Sequence, residues 1–425
     1  MAQPEVRGKT LVNLDWHLHP GARTALDLAP ARDDIDLAAV RAYRLSRVRG
    51  EMRKRDVAAC ILSDPVNIRY ATGARNMQVF TARNQPARYL LITETDAILY
   101  EFTGCMHLAD GLETLTDVRP AITASFVAAG AGIGEREVDW ARAMAADIRE
   151  LVGSGGQIGL ERLNAGAALA LAAEGFRLVD AQQPVEMARA IKSDEEMKCV
   201  RASLRATEAG VARMRAAIRP GITENQLWSV LHQAVIELGA DYCETRLLNA
   251  GPRTNPWFQE ADANRIADNE LIALDTDIVG CHGYYADFSR TFHAGPDKPT
   301  PVQRRLYQTA YEQLHHNMAI LKPGMSFRDY AENAWPIPEK YFVNRYYLSA
   351  HGVGMTGEYP YLYHRADFDV AGYDGTVEPG MTLCVESYIG EEGGVEGVKL
   401  EQQVLVKPDG LELLSNFPFE SDLLN

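Results

Sequence analysis

Hydrophobic and polar residues follow two different periods in the first part of the chain. A helical period with many arginines runs through residues 37–55 and leads into the apolar run 57–64, which predicts a buried strand. Residues 87–102 contain two apolar runs around a polar turn and predict a hairpin. A helix over 141–152 and a strand over 156–163 follow. This succession of strands and helices predicts an α/β domain.

The pattern changes at residues 186–200, where a long helical period begins. Ser193, followed by Glu196 three residues later, has the form of a capping box and indicates the start of that helix. We therefore place a boundary here, with one domain over residues 1–190 and a second over residues 191–425.

The second domain contains a weak internal repeat. IRPGITENQLWSVL begins at Ile218 and LKPGMSFRDYAENA begins at Leu321, and each has a Pro-Gly turn followed by a capped helix. Two half-domains related in this way would place a sheet between them and a binding site in the cleft. The alternative is that a Pro-Gly turn before a cap is simply common helix-entry chemistry.

Residues 273–292 combine strand-like runs with carboxylates. Asp275 and Asp277 interrupt the first apolar run, a glycine-containing turn follows, and Asp287 lies in the second run. This pattern predicts two adjacent strands whose carboxylates point inward. Ionised carboxylates that converge in a half-buried sheet lose solvation and repel each other, so they require a cation. A divalent metal ion is the usual one.

Further candidate ligands lie downstream, each in or beside a short apolar run. They are His351 in SAHGVGM, Glu386 in TLCVESYIG and Glu401 in VKLEQQVLV. Oxygen ligands with one imidazole suit manganese, iron, cobalt or zinc. Taken singly, each acid is equally explained as a solvated or salt-bridged carboxylate.

The order Asp, Asp, His, Glu, Glu resembles the pita-bread metalloenzyme superfamily, which includes methionine aminopeptidase, aminopeptidase P, prolidase and creatinase. The resemblance implies a centre of one or two divalent ions, with iron expected before manganese, cobalt or zinc. It implies these ligands: Asp275, Asp277, Asp287, His351, Glu386 and Glu401. The chain departs from the family pattern in having two aspartates before the turn, neither at the usual spacing from Asp287.

The same resemblance implies the architecture. We expect an α+β protein with a creatinase-like α/β N-terminal domain and a pita-bread catalytic domain whose halves are related by pseudo-twofold symmetry. A homodimer is also the family expectation.

Net charge and the lengths of the apolar runs limit the kinds of partner that we expect. The net charge of −15 disfavours a nucleic-acid binder, which would present a basic face. No N-terminal run resembles a signal peptide and no apolar stretch is long enough to span a bilayer, so we expect a cytoplasmic protein without membrane contact.

Residues 1–35 are polar and predict an extended arm before the first helix. Its Trp16, His17 and His19 either pack on a neighbouring surface or contact a metal or substrate.

The chain lacks three histidines that peptidases of this superfamily carry around the metal. Aligned on the motifs, their positions hold Trp257, Tyr347 and Glu358. Peptide hydrolysis needs a group that passes a proton to the leaving amine near neutral pH, for which imidazole is suited. The loss of all three, with every metal ligand kept, indicates a different reaction on the same metal.

Segments along most of the chain resemble the dimethylsulfoniopropionate lyase branch of the superfamily. They are NIRYATGARNM, NPWFQEAD, RYYLSAHGVGM and EYPYLYH. That resemblance implies elimination of dimethyl sulfide from a small zwitterion to give acrylate. A metal would bind the substrate carboxylate and acidify the adjacent C–H. Aromatic residues would contact the sulfonium, and the candidates are Trp257, Phe258, Tyr346, Tyr347 and Tyr359.

The position of the base is where this chain departs from the lyase pattern. In the lyases an aspartate base lies six residues after the metal histidine, where this chain has Gly357. Glu358 is the neighbouring candidate for that role, and Tyr346 is a second catalytic candidate. The alternatives are a relative acting on another small substrate, a hydrolase of dipeptides or small amides, and a non-catalytic binding protein.

Overall fold

The chain forms two compact units in the part that the structure describes. This computed structural model describes residues 34–77, 79 and 86–425, so Trp16, His17, His19 and the predicted arm lie outside the described residues. Asp36–Arg189 form the first unit; Ala190–Asn425, together with residues 34–35, form the second. No helix among the described residues has the length and apolar character needed to cross a membrane.

The first unit is a six-stranded mixed sheet with helices. Its strand order is β4-β3-β2-β1-β5-β6. The strands are β1 Val57–Leu62, β2 Tyr89–Thr93, β3 Ala97–Glu101, β4 Asp117–Pro120, β5 Gln157–Leu160 and β6 Arg177–Asp180. The helices are Leu37–Lys54, Pro65–Thr72, Phe126–Ala129, Ile133–Val152, Ala165–Ala173 and Gln182–Arg189.

The core of this unit follows from local patterns. Trp140, Met144 and Ile148 recur every four residues on one face of their helix and are buried in a hydrophobic cluster with residues of β1 and β2. β2 and β3 form the predicted antiparallel hairpin, closed by a turn in which the Thr93 side chain accepts from the Asp96 backbone N–H at 2.9 Å.

The second unit holds the remaining elements. Its strands are β7 Tyr242–Cys243, β8 Leu248–Ala250, β9 Leu271–Asp275, β10 Ile278–Val279, β11 Tyr285–Ala286, β12 Ser289–His293, β13 Leu348–Val353, β14 Gly357–Tyr363, β15 Thr382–Gly390, β16 Gly397–Lys407 and β17 Gly410–Leu413. Its helices are Asp194–Ala217, Glu224–Glu237, Pro301–Ile320, Phe327–Asn333, Glu339–Phe342, Arg365–Ala371 and Ser421–Leu424. The sheets have the orders β11-β10-β7, β12-β9-β8 and β14-β13-β15-β16-β17.

The internal repeat is visible in the backbone. Gly221 and Gly324 both take positive φ, at 86° and 83°, which glycine adopts without strain. Thr223 and Ser326, two residues later, each accept the backbone N–H three residues on, and each also forms an isolated antiparallel bridge. The turn and the cap that the sequence predicts therefore occur in both repeat segments, and the isolated bridge is a further feature that the two segments share.

The strands that position the candidate site belong to the three sheets of the second unit named above. β9 pairs with β12, and β10 pairs with β11, so residues 271–293 form an antiparallel hairpin that is interrupted on both sides. β16 packs against β9 and β12, and the Thr291 hydroxyl donates to the Lys399 carbonyl at 2.9 Å. This packing brings the hairpin beside β13, β15 and β16.

Candidate metal centre

Three aspartates are positioned by the interruptions of the hairpin. Asp275 ends β9, Asp277 lies between β9 and β10 with a φ of 38°, and Asp287 lies between β11 and β12. Carboxylate oxygens of all three lie within 4.8 Å of one another. The Thr245 hydroxyl donates to Asp277 Oδ2 at 2.6 Å and fixes that side chain. The three carboxylates therefore lie where the β-pairing of the hairpin ends or is broken, and their oxygens lie close together there.

The other three candidate ligands lie on neighbouring strands of the five-stranded sheet. Glu386 on β15 is directly opposite Glu401 on β16, and His351 on β13 is opposite Cys384, two residues before Glu386. Alternation along β15 places its positions 384 and 386 on one face. His351 Nε2 lies 3.3 Å from Glu386 Oε1, 3.5 Å from Glu401 Oε1 and 3.6 Å from Asp287 Oδ2. All six predicted ligands thus converge.

Hydrogen bonding settles which imidazole nitrogen faces the acids. His351 Nδ1 lies 3.0 Å from the Gly352 carbonyl, which only accepts, so Nδ1 carries a proton and donates. Nε2 is then left to face the three carboxylates, as in a metal-ligating histidine oriented by a backbone carbonyl. Burial lowers the pKa of His351, but the nearby carboxylates of Glu401, Glu386 and Asp287 outweigh burial and raise it well above the usual range.

The pKa values of the five carboxylates reflect their burial and the charges beside them. Burial raises the pKa of Asp275, Asp277 and Asp287, and it raises the pKa of Glu386 to about 7 despite the opposing charge of Lys399. For Glu401, Lys399 and His351 overcome burial and hold the pKa below its usual range.

Buried carboxylate oxygens that lack a hydrogen-bond partner show whether these residues can hold a metal ion. Among the described residues, Asp287 Oδ1, Glu386 Oε1 and Glu401 Oε1 are buried without a hydrogen-bond partner. A buried carboxylate oxygen without a partner is costly, and a divalent cation supplies what is missing. Oxygen donors with one imidazole nitrogen form a set that fits manganese, iron, cobalt or zinc.

Lys399 is a component that sequence reasoning missed. Its fully buried Nζ lies 2.7 Å from Glu401 Oε2, 2.9 Å from Glu386 Oε2, 2.9 Å from Ser289 Oγ and 3.4 Å from Asp275 Oδ2. Lys399 therefore contacts one oxygen of each glutamate and leaves the other, Oε1, facing His351. A signal was present in the sequence, since strand alternation places a lysine two residues before Glu401 on the same face. Cys384 was also missed, and its sulfur lies within 4.8 Å of donor atoms of Asp287, His351 and Glu401.

Four of the predicted aromatic residues lie together beside the carboxylates. Ring centroids are 6.4 Å apart for Trp257 and Phe258, 5.2 Å for Phe258 and Tyr346, and 5.3 Å for Tyr346 and Tyr347. Lys399 Nζ lies 5.9 Å from the Trp257 ring and 5.6 Å from the Tyr346 ring, which places this group next to the candidate ligands.

Tyr359, the fifth predicted aromatic residue, packs elsewhere. Its ring stacks on Tyr373 at 5.9 Å and contacts Phe327 at 6.0 Å, and Phe327 is buried in the hydrophobic core. The structure therefore does not bring Tyr359 into the group beside the carboxylates.

Glu358, the base suggested by the sequence, is held in a buried ion pair. Its carboxylate accepts from Lys192, and both side chains are almost fully inaccessible. On β14 it is opposite Gly352, the residue after His351, whereas Tyr361 is opposite His351 itself. If Glu358 took up a proton, the charge of Lys192 would be left buried without its counter-ion, which is costly. The environment of Glu358 therefore suits a structural pair better than a base.

Comparison with known proteins agrees with this geometry. Residues 44–191 match the Creatinase/Prolidase N-terminal domain, and residues 198–408 match the Metallopeptidase family M24. A solved structure of an Xaa-Pro dipeptidase from Bacillus anthracis superposes with a TM-score of 0.71 over 89% of this chain and 98% of its own, at 22% identity. This likeness bears on the fold and confirms the predicted creatinase-like and pita-bread domains.

Two curated relatives extend over nearly the whole chain. The dimethylsulfoniopropionate lyase DddP of Roseobacter denitrificans is 33% identical over 100% of this chain and 94% of its own length. The protein of the same name from Roseovarius nubinhibens is 32% identical over 92% of this chain and 88% of its own. The chain therefore belongs to the pita-bread metallopeptidase superfamily, in its creatinase, aminopeptidase P and prolidase branch, and groups there with the DddP proteins.

Proposed function

We propose that this chain is a metal-dependent lyase that cleaves dimethylsulfoniopropionate to dimethyl sulfide and acrylate. The observation that carries the proposal is the similarity to two dimethylsulfoniopropionate lyases over 100% and 92% of the chain. The site supports it, because the candidate ligands converge while Trp257, Tyr347 and Glu358 stand where peptidases of the superfamily carry histidines.

The metal site in this proposal consists of the six converging side chains. Asp275, Asp277, Asp287, His351, Glu386 and Glu401 would hold one or two divalent ions, with iron expected before manganese, cobalt or zinc. A bound ion would act as a Lewis acid on the substrate carboxylate and so acidify the adjacent C–H.

We assign the proton transfer to Tyr346 rather than to Glu358. Tyr346 lies beside the cluster, where burial and then the charge of Glu386 raise its pKa above the usual range. A divalent cation opposes the carboxylate charges that contribute to this rise. The step requires Tyr346 as its phenolate, which a bound cation would have to stabilise against burial; the phenolate Oη then takes the proton from the carbon next to the carboxylate and becomes a neutral phenol. The C–H electron pair forms the double bond, and the C–S bond breaks with its pair remaining on sulfur.

Proton NMR of the metal-analysed protein with dimethylsulfoniopropionate tests the activity. Acrylate vinyl signals should appear as the substrate methylene signals disappear. Tyr346→Phe should reduce the rate by about 100-fold or more at unchanged metal content. Glu358→Gln should lower thermal stability and leave the rate of the folded protein within a few-fold. Absence of acrylate from a fully metal-loaded protein would overturn the lyase proposal, and loss of acrylate only in Glu358→Gln would overturn the role of Tyr346.

The match to the Metallopeptidase family M24 favours a hydrolase as the second candidate. Such an enzyme would release proline from an Xaa-Pro dipeptide, or the product of a small amide, under the same conditions. Incubation with Gly-Pro and detection of free proline separates the two activities. A protein with full metal content that turns over neither class of substrate would favour the binding-protein alternative.

A further inference from the structure

Six aromatic side chains form a continuous line that begins and ends at the metal centre. We call this line the aromatic arc; its members, in order, are Trp257, Phe258, Tyr346, Tyr347, Tyr363 and Tyr361. Successive ring centroids are 6.4, 5.2, 5.3, 6.2 and 6.5 Å apart. Trp257 reaches Lys399 at one end, and the Tyr361 ring lies 6.5 Å from the His351 ring at the other.

The two ends of the arc differ in charge. Lys399 Nζ already lies 5.9 Å from the Trp257 ring and 5.6 Å from the Tyr346 ring, so these two rings already have a cation beside them. Over the rings of Tyr347, Tyr361 and Tyr363 the described part of the chain places no lysine or arginine. Among the described residues, the rings of the arc without a lysine or arginine over them therefore include the three at its His351 end.

Tyr361 is the member of this end that is held closest to the ligands. It is directly opposite His351 in the β13–β14 register. Its backbone N–H donates to the Tyr373 hydroxyl at 2.7 Å, which fixes the strand at this point. The side chain remains 39% exposed, so a small molecule can reach its ring. Aromatic faces attract cations that approach within about 6 Å, and methylated onium groups are recognised in this way.

We propose that Tyr361 is a specificity-determining residue that binds the methylated cationic group of the substrate. The substrate carboxylate then lies toward Lys399 and the metal ligands, and the onium group lies on the ring of Tyr361. This assignment rests on the proposed function and defines the substrate class of the site as a short carboxylate with a sulfonium or quaternary ammonium group. Tyr361 is not among the aromatic residues that the sequence resemblance implied for this contact, which were Trp257, Phe258, Tyr346, Tyr347 and Tyr359.

A pair of ligands with the same shape tests the assignment without turnover. 3-(Trimethylammonio)propionate carries the cation, and 4,4-dimethylpentanoate has a neutral tert-butyl group in its place. Dissociation constants for both are measured by calorimetry on metal-loaded protein. The wild-type protein should bind the cation more tightly, partly through Tyr361 and partly through the surrounding carboxylates.

Matched variants measure how much of the preference for the cationic ligand is due to the Tyr361 ring. Tyr361→Leu keeps apolar bulk and removes the aromatic face, so the preference for the cation should fall by about fivefold. Tyr361→Phe keeps the face and should retain the preference. Phe258→Leu removes an exposed ring near the opposite end and should leave the preference unchanged.

Two results would overturn the assignment of Tyr361. One is an unchanged preference in Tyr361→Leu; the other is an equal loss of affinity for both ligands, which would show that the side chain serves only to pack. Because no reaction is needed, the result is independent of the lyase test. A protein that makes no acrylate but loses the cation preference in Tyr361→Leu would refute the lyase activity and keep the cation site.

Discussion

Lys399 and a bound metal ion would compensate the same negative charge. The carboxylates of Asp275, Glu386 and Glu401 lie within 3.4 Å of Lys399 Nζ. Burial alone would lower the pKa of Lys399, but these carboxylates raise it well above the usual range, so the side chain is charged. In the metal-free protein Lys399 is therefore the principal counter-charge of the cluster.

We expect Lys399→Met to destabilise the metal-free protein strongly, because three buried carboxylates lose their cation. Removing one partner of a buried pair typically costs about 3–5 kcal/mol. Added manganese should then raise the melting temperature more in Lys399→Met than in the wild type, since the metal replaces the missing charge. Lys192→Met is the control, because Lys192 is equally buried but pairs with Glu358. An equal metal-induced rise in Lys399→Met and the wild type would contradict the prediction.

At the scale of elements, the junction between β14 and the helix Arg365–Ala371 contains a buried imidazole. The His364 carbonyl accepts from the Phe368 N–H at 2.9 Å and begins the helix. Burial lowers the pKa of His364 to about 4; the neighbouring Arg345 lowers it as well, and Asp367 opposes both. His364 is therefore neutral in the folded protein at pH values where the unfolded chain already binds a proton.

This difference predicts a loss of stability in acid. As the pH falls from about 6.5 to 4, the unfolded state takes up a proton that the folded state does not, which removes up to about 3 kcal/mol. The urea midpoint of His364→Asn should fall less over this interval than that of the wild type, and the exposed His107→Gln should follow the wild type. A parallel fall in all three proteins would show that His364 does not contribute.

Local elements were predictable from the sequence for a physical reason. The Ser193 and Thr223 caps and the β2–β3 hairpin depend on residues a few positions apart, and alternation or capping chemistry specifies them. The pair of Lys192 with Glu358 joins residues 166 positions apart, and its existence depends on the strand register. The reach of Lys399 to Asp275 depends equally on how separate strands pack, which local patterns do not encode.

At the scale of the whole molecule, the candidate metal centre belongs to one of the two units. All six candidate ligands lie within Ala190–Asn425, and none lies in Asp36–Arg189. A ligand that binds only the folded state stabilises it by an amount that depends on concentration, about 2.7 kcal/mol at 100 times the dissociation constant. The stabilisation should therefore be found in the second unit.

Hydrogen exchange measured by mass spectrometry locates this effect. At 100 times the dissociation constant, metal should slow the exchange of amides in β15 and β16 by about 100-fold, because they exchange when the second unit opens. β1 and β2 of the first unit should exchange at the same rate with and without metal. His351→Ala, which removes the imidazole from the cluster, should abolish the difference. Equal protection of β1 and β15 by metal would show instead that the two units open together, because a cooperative opening exposes both at the same free energy.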